Sequence, residues 1–231
     1  MKKEIEIVRF DEISSTNDYV KGRISEGKNL IAIAKRQTSG KGTKGRSFSS
    51  NDGGVYLTKL VFHENFPAKD VFLVMARTAV AVCKTLETCS LAPVIKWAND
   101  VFVGNKKICG ILIENVFSGN KISSSLIGVG LNVNNELPIE LKEIATSMRL
   151  ESGKAFDLER IEELLIENLS KEFSMDEYLA RVGCLGRKVN LLIGETLVPA
   201  TPVCVEKDGG LVVEIDGKRQ KVYAGEVSLR L

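Results

Sequence analysis

The sequence predicts an α+β fold, a larger region of strands and helices followed by a small β-barrel. Three observations predict it. Strand-like runs rich in β-branched residues stand beside stretches whose apolar residues recur at helical spacing. Gly104-Asn105 and Gly119-Asn120 separate consecutive strand-like runs, as hairpin turns do. Beyond Gly183 helical spacing stops, and short strands punctuated by Asp208-Gly209-Gly210 and Asp216-Gly217 take over. This change places a boundary near residue 182 and gives two domains, 1–182 and 183–231. The second is too small to be secure alone and is expected to pack on the first.

Taken in order, Ile5, Ile7 and Val8-Arg9-Phe10 suggest a first strand. Ser14-Ser15-Thr16-Asn17-Asp18 offers N-cap residues for a helix ending near Gly27. Leu30 to Lys35 reads as a buried strand. After a turn cluster, Val55 to Val61 reads as another. Pro67 has the character of a first helical residue. It precedes a core stripe of Phe72, Met75, Ala79, Val82, Cys83 and Leu86. Strands are expected at Val94 to Trp97, Val101 to Val103, Ile108 to Phe117 and Ile122 to Val133. Asp157 caps a long helix through Leu164, Leu165 and Leu169 toward Tyr178.

Composition narrows the chemistry. A net charge of +2 over 231 residues supplies no global field toward DNA or a membrane. The apolar runs are too short to span a bilayer, and Met1-Lys2-Lys3-Glu4 opens no signal peptide. The five cysteines are widely spaced without a C-x-x-C, which argues against zinc and disulfide frameworks and for a reducing cytoplasm. His63, the only histidine, sits in His63-Glu64-Asn65 and reads as a surface residue of a polar loop. Ser/His and Cys/His catalysis are therefore disfavoured. The chemistry rests on Lys, Arg, Asp, Asn and backbone groups.

The segment from Lys35 to Phe48 carries five basic side chains, no acidic ones, and Gly40, Gly42 and Gly45. Such a loop can turn successive amides toward an anion, with cationic heads adding full charge. Gly40 to Ser47 nearly spells a P-loop, with Arg46 where Lys belongs. A P-loop opens a helix. Here a turn cluster and a strand follow, so a P-loop is rejected and an anion cradle kept. A solvated basic loop or a nucleic-acid contact remains open on this segment alone.

Four other stretches set polar residues among apolar ones: Ser15-Thr16-Asn17-Asp18, Lys96-Trp97-Ala98-Asn99-Asp100, Lys107-Ile108-Cys109-Gly110-Ile111-Leu112-Ile113-Glu114 and Gly128-Val129-Gly130-Leu131-Asn132-Val133-Asn134. Singly, each has a plain structural reading, as caps, turns or an exposed hairpin lysine. Together with the loop, their order and spacing resemble the biotin protein ligases. That family shows S-T-N, Q-x-x-G-R-G-R-x-G-R, K-W-P-N-D, K-x-x-G-I-L-x-E and G-x-G-x-N-x-N in this order. Its C-terminal G-E-[IV]-S-[LI]-R is matched by Gly225 to Arg230. The resemblance spans nearly the whole chain. It implies a mixed sheet with flanking helices, like class II aminoacyl-tRNA synthetases, plus an SH3-like barrel. Some family members carry an N-terminal helix-turn-helix repressor domain. Only 14 residues precede Ser15 here, so the short, monofunctional class is expected.

The resemblance implies that biotin and ATP, with Mg²⁺, give biotinyl-5′-AMP. The biotinyl group then passes to a lysine of a biotin carboxyl carrier domain of a carboxylase. No nucleic acid or membrane partner is implied, and a homodimer is compatible, since members occur as monomers and dimers. Lys107 is the expected catalytic cation between carboxylate and α-phosphate, with Arg46 and Asp100 beside it. Asp100 is the candidate Mg²⁺ residue. Ser15, Thr16, Asn17, Gln37, Gly40, Lys41, Gly42, Thr43, Gly110 and Leu112 are expected around biotin, together with Lys107. Lys41, Arg46, Phe48, Asn99 and Asn132 are expected around the nucleotide. Three departures stand out: Ala98 for the usual Pro, Lys41 for a common Arg, and Thr43 where many members have Arg. The last bears on how well the adenylate is held. A lipoate ligase would share the fold but lacks the S-T-N and K-W-x-N-D pair. An RNA-binding domain would need more aromatics beside the basic loop.

Overall fold

A computed structural model describes residues 5–224 and the backbone of 227–230. The described residues build a seven-stranded mixed sheet and a five-stranded antiparallel one. In chain order the larger sheet takes β1 (Glu6–Ile13), β2 (Leu30–Gln37), β3 (Val55–Pro67), β4 (Pro93–Lys96), β5 (Asp100–Val103), β6 (Lys106–Ser118) and β7 (Lys121–Leu131). Their spatial order is β1-β2-β3-β7-β6-β5-β4, with β1 and β2 parallel and the other neighbours antiparallel. The β4–β5, β5–β6 and β6–β7 pairs are hairpins, two of them at the expected Gly-Asn turns.

The helices are α1 (Thr16–Lys21), α2 (Phe72–Thr88), α3 (Met148–Ser152), α4 (Leu158–Asn168) and α5 (Met175–Leu179). One sheet face packs its odd-numbered residues, among them Ile31, Ile33, Leu57, Val129 and Ile111, into the main core with α2 and α4. On the other face Leu30, Ala32, Leu60 and Leu126 pack with Val20 of α1. The short α1 leaves the rest of that face open for the site. Period-two alternation produces both faces from the same strands.

Four expectations are corrected in detail. The first helix stops at Lys21, and Ile24–Glu26 forms a separate 3₁₀ turn before Gly27 in left-handed conformation. Pro67 ends β3 and precedes a 3₁₀ turn, so α2 begins only at Phe72. Asp157 caps α4 as expected, accepting from the Glu159 and Arg160 amides. However, α4 ends at Asn168, and Ser174 starts α5 with its own capping box. His63 lies within β3, half-buried rather than in a loop. Its Nε2 is 2.8 Å from Ser125 Oγ, whose own hydrogen goes to Asn115 Oδ1. His63 Nε2–H must therefore be the donor.

The smaller sheet orders β11 (Lys218–Val222), β10 (Leu211–Ile215), β9 (Thr196–Val205), β8 (Val189–Ile193) and β12 (Val227–Arg230). Gly225 and Glu226 of the C-terminal motif lie outside the described residues. The two sheets share one apolar core, in which Leu211, Val213 and Val222 join residues of α2 and β4. Trp97 is buried between them and its Nε1 donates to the Gly209 carbonyl at 3.1 Å. The Trp97–Ala98 peptide is cis. No helix among the described residues is long and apolar enough to cross a membrane.

Candidate ligand site

The open sheet face, α1 and the glycine loop line a cleft that opens to solvent. Its floor is two cross-strand rows. Tyr56, Gly130, Gly110 and Asp100 are successive partners across β3, β7, β6 and β5. Thr58, Gly128 and Leu112 form the row beside it. The glycines keep this floor low. A Cβ at Gly130 would come within 2.5 Å of the Phe48 ring, one at Gly110 within 2.8 Å, and one at Gly128 within 2.6 Å of Asn17 Oδ1. Phe48 thus lies flat over the Gly110–Gly130 pair.

Lys107 reaches this face through a register shift. β5 and β6 pair Val101 with Cys109 but Phe102 with Lys107, leaving Ile108 as an extra residue. A bulge reverses the alternation, so odd-numbered Lys107 shares the cleft with even-numbered Gly110 and Leu112. The segment after β7 fixes the strand start: Lys107 N–H donates to the Ile144 carbonyl, and Thr146 N–H to the Lys107 carbonyl. Lys107 Nζ stands 2.7 Å from Asp100 Oδ1. That oxygen is buried, and the Lys107 ammonium is the partner the structure gives it.

The glycine loop is a small closed hairpin. Lys41 bridges Ser47, Gly42 N–H donates to the Arg46 carbonyl, and Phe48 N–H to the Gly40 carbonyl. A 3₁₀ turn at Thr43–Gly45 forms its tip, with Lys44 and Gly45 at positive φ. Lys41 Nζ pairs with Asp18 Oδ1 of α1 at 2.6 Å. The Arg46 guanidinium folds back on the tip, donating to the Thr43 carbonyl at 3.2 Å and to Thr43 Oγ1 at 2.9 Å.

Opposite Lys107 the wall is neutral and polar. Gln37 Oε1 accepts from Thr16 N–H at 2.8 Å and from Thr16 Oγ1 at 3.0 Å. Gln37 Nε2 donates to Ser50 Oγ at 2.9 Å, and Ser50 in turn donates to the Phe48 carbonyl at 3.2 Å. Thr58 Oγ1 donates to Asn17 Oδ1 at 2.6 Å, and Asn17 Nδ2 donates to Glu114 at 3.0 Å. Ser15 serves first as the N-cap of α1, accepting from the Asp18 amide, while still facing the cleft.

Of the residues singled out from the sequence, Ser15, Thr16, Asn17, Gln37, Lys41, Gly42, Thr43, Arg46, Phe48, Asn99, Lys107, Gly110 and Leu112 line this one cleft. Gly40 and Asp100 stand just behind it: Gly40 packs on Phe48 and Ser50, and Asp100 on Lys107. Asn132 is not brought in. Its amide is buried, donating to the Thr146 carbonyl and accepting from Asn135 Nδ2, both at 3.0 Å. That satisfies a strand end rather than facing a ligand. Sequence reasoning missed Thr58 and Ser50 as parts of the site, and it noted Gly128 and Gly130 within a motif without giving them a place in the floor. Thr58 carried a signal, a polar residue at an inward position of a strand otherwise apolar there. Burial pushes the Cys83 thiol up to about 12 and raises Cys109 as well, so neither supplies a thiolate at neutral pH.

The model of the biotin/lipoate A/B protein ligase family matches residues 10–132, more than half the chain. The chain belongs to that family. Among similar ligases, the bifunctional ligase/repressor BirA of Bacillus subtilis is 26% identical over 96% of this chain and 74% of its own length. The biotin–[acetyl-CoA-carboxylase] ligase of Paracoccus denitrificans is 26% identical over 84% of this chain and 88% of its own. A solved biotin protein ligase from Aquifex aeolicus, in complex with biotin and ATP, superposes with a TM-score of 0.75. It is 27% identical and covers 97% of this chain and 98% of that one. The family match runs from within β1 to just past β7, so this ligase-family region includes both floor rows, the glycine loop and Lys107.

Proposed function

We propose that the chain is a biotin protein ligase that forms biotinyl-5′-AMP from biotin and ATP and passes the biotinyl group to a carrier-domain lysine of a carboxylase. The observation that carries the choice of biotin is the neutral polar wall of Thr16, Gln37, Thr58 and Asn17 facing Lys107 across a glycine floor. The family model spans biotin and lipoate ligases alike. A ureido ring offers N–H and C=O groups to such a wall. A dithiolane offers neither and would leave the acceptor lone pair of Thr16 Oγ1 unmatched, at a cost of roughly 1–3 kcal/mol.

In this reading the biotin carboxylate and the ATP α-phosphate meet at Lys107. Two anions repel, and a fixed cation between them lowers the barrier to their joining. The carboxylate oxygen attacks the α-phosphorus, and pyrophosphate leaves with its electron pair. Lys107 must exchange Asp100 for the substrates' oxygens, as Lys41 must exchange Asp18 and Arg46 its hold on Thr43. The acceptor amine then attacks the mixed anhydride and AMP leaves. Asp100 would suit a Mg²⁺, because its buried Oδ1 is held by Lys107 alone and Mg²⁺ accepts one carboxylate beside phosphates and waters. The ion would neutralise phosphate charge. Among the described residues no cluster of three ligating side chains offers a cage of its own. We assign residues 1–182 to catalysis and 183–231 to a barrel that completes the fold. A reducing cytoplasm suits the five free thiols. The proposal is for ligation and attaches no operator-binding role to the described residues.

The test is isotope exchange between pyrophosphate and ATP. Exchange should require biotin and Mg²⁺ and proceed without acceptor protein. Exchange supported equally by lipoate would overturn the assignment to biotin.

A further inference from the structure

We infer that Glu114 is a positioning residue that makes Thr16 Oγ1 a hydrogen-bond acceptor toward the cleft and thereby selects a ligand presenting an N–H there. The inference rests on the biotin reading above. It follows from counting hydrogens along one chain of contacts.

Both ends of the chain have fixed polarity. At one end Thr16 N–H points at the Gln37 side-chain amide, so the oxygen of that amide must face Thr16. At the other end Glu114 binds Lys21 Nζ at 2.9 Å through one carboxylate oxygen, and its other oxygen faces Asn17. A carboxylate only accepts, so Asn17 must present Nδ2 to Glu114 and Oδ1 to Thr58. Thr58 then has to spend its single hydrogen on Asn17 Oδ1. Thr16 Oγ1 lies 2.9 Å from Thr58 Oγ1 and 3.0 Å from Gln37 Oε1. Two acceptors compete for the one Thr16 hydrogen, and no described group donates to Thr16 Oγ1. Thr16 is 3% exposed, Thr58 is 0% exposed, and both line the cleft, so bulk water is a poor substitute partner. The open lone pairs of Thr16 ask for a donor from the occupant.

A glutamine at position 114 would permit the reverse order. Its amide could donate to Asn17 Oδ1, Asn17 Nδ2 to Thr58, Thr58 to Thr16, and Thr16 to Gln37. Every hydrogen would then be used, and Thr16 Oγ1 would already be receiving one. The negative charge of Glu114 is what forbids this self-satisfied state and keeps the acceptor available. Glu114 acts through Asn17, Thr58 and Thr16 and does not itself line the cleft.

The experiment measures binding of biotin, and of the two cyclic-carbamate analogues in which one ring N–H is replaced by oxygen. The proteins are the full-length wild type, Glu114→Gln and Lys21→Met, each with its thermal midpoint. Glu114→Gln should leave the midpoint within a few degrees and weaken biotin roughly tenfold, the worth of one hydrogen bond in a buried site. It should narrow the preference for biotin over one carbamate by the same factor. Lys21→Met removes the surface ion pair but keeps the charge of Glu114, and should leave that preference unchanged. If Glu114→Gln binds all three ligands with wild-type ratios, the inference fails while the biotin reading stands. If Lys21→Met narrows the preference as much as Glu114→Gln, the salt bridge rather than the polarity is responsible, and the inference again fails. Wild-type protein that does not bind biotin overturns both.

Discussion

Two residues concentrate the chemistry. Lys107 is placed by a bulge, held by backbone bonds on both sides, and paired with Asp100. Lys107→Ala should lose most adenylation, by about 10²–10³-fold, the effect of removing one preorganised charge contact from a transition state. The protein should stay folded with a lowered thermal midpoint, because the ion pair is partly exposed as a whole while Asp100 Oδ1 itself is buried. Near-normal exchange in the mutant would return Lys107 to an ordinary hairpin lysine. Thr43 is the second. It stands at a position where the motif that the sequence resembles has Arg, and it anchors the Arg46 guanidinium through its carbonyl and hydroxyl. A single hydroxyl cannot give an adenylate the planar fork of an arginine. Thr43→Arg is expected to slow release of pre-formed biotinyl-5′-AMP about tenfold, the worth of one charge-assisted contact. Chase with excess unlabelled biotin and ATP reads the off-rate. Equal rates would mean that Lys41 or Arg46 already does the holding.

At the level of elements, β3 and β7 carry the floor of the cleft at one end and the His63–Ser125 contact at the other. Burial, with Arg77 nearby, holds the His63 imidazole below its ordinary range near 6.5. The unfolded chain therefore binds that proton more readily than the folded one. Stability should be at its full value above about pH 6.5 and fall as pH drops through the lower folded value. The paired carboxylates Glu26, Glu167, Glu177 and Asp208 are shifted downward, so their loss comes only in stronger acid. Urea midpoints from pH 7.5 to 5 should decline in the wild type and decline less in His63→Gln. Parallel curves would show that His63 is not the titrating group. His63 also illustrates how a local reading fails. The Glu64-Asn65 pair looks like a loop, but β3 continues past them by pairing Phe66 with Ile122 across an irregularity.

Across the whole molecule the smaller sheet is not an appendage. Its Leu211, Val213 and Val222 are buried in the same core as α2, the Gly209 carbonyl takes the Trp97 indole hydrogen, and a Cβ at Gly209 would strike the Phe72 ring at 2.4 Å. Trp97 begins the turn that carries Asn99 and Asp100 to the cleft. Deleting residues 183–231 should therefore cut exchange activity sharply, beyond what loss of a tethered module would do, and lower the thermal midpoint of what remains. Full turnover by a soluble fragment 1–182 would contradict this.

The sequence by itself determined the strand order along the chain, the two Gly-Asn hairpins, the Asp157 cap, and five motifs that each send residues to one cleft. These are local signals, carried by turn chemistry and by spacing along a single strand or loop, and they survive folding unchanged. Tertiary structure decided the rest. Asn132 ends a strand beside the motif glycines, yet its amide is consumed by Thr146 and Asn135, which lie close only after the chain has folded back. Thr58 and Glu114 are distant in sequence from Thr16, and only the pairing of β3, β7 and β6 beneath α1 joins them into one hydrogen-bond chain. A residue's type fixes what it can donate or accept. Which of those capacities is left for a ligand depends on the neighbours that the fold supplies, because a buried polar group satisfies itself within the protein wherever it can.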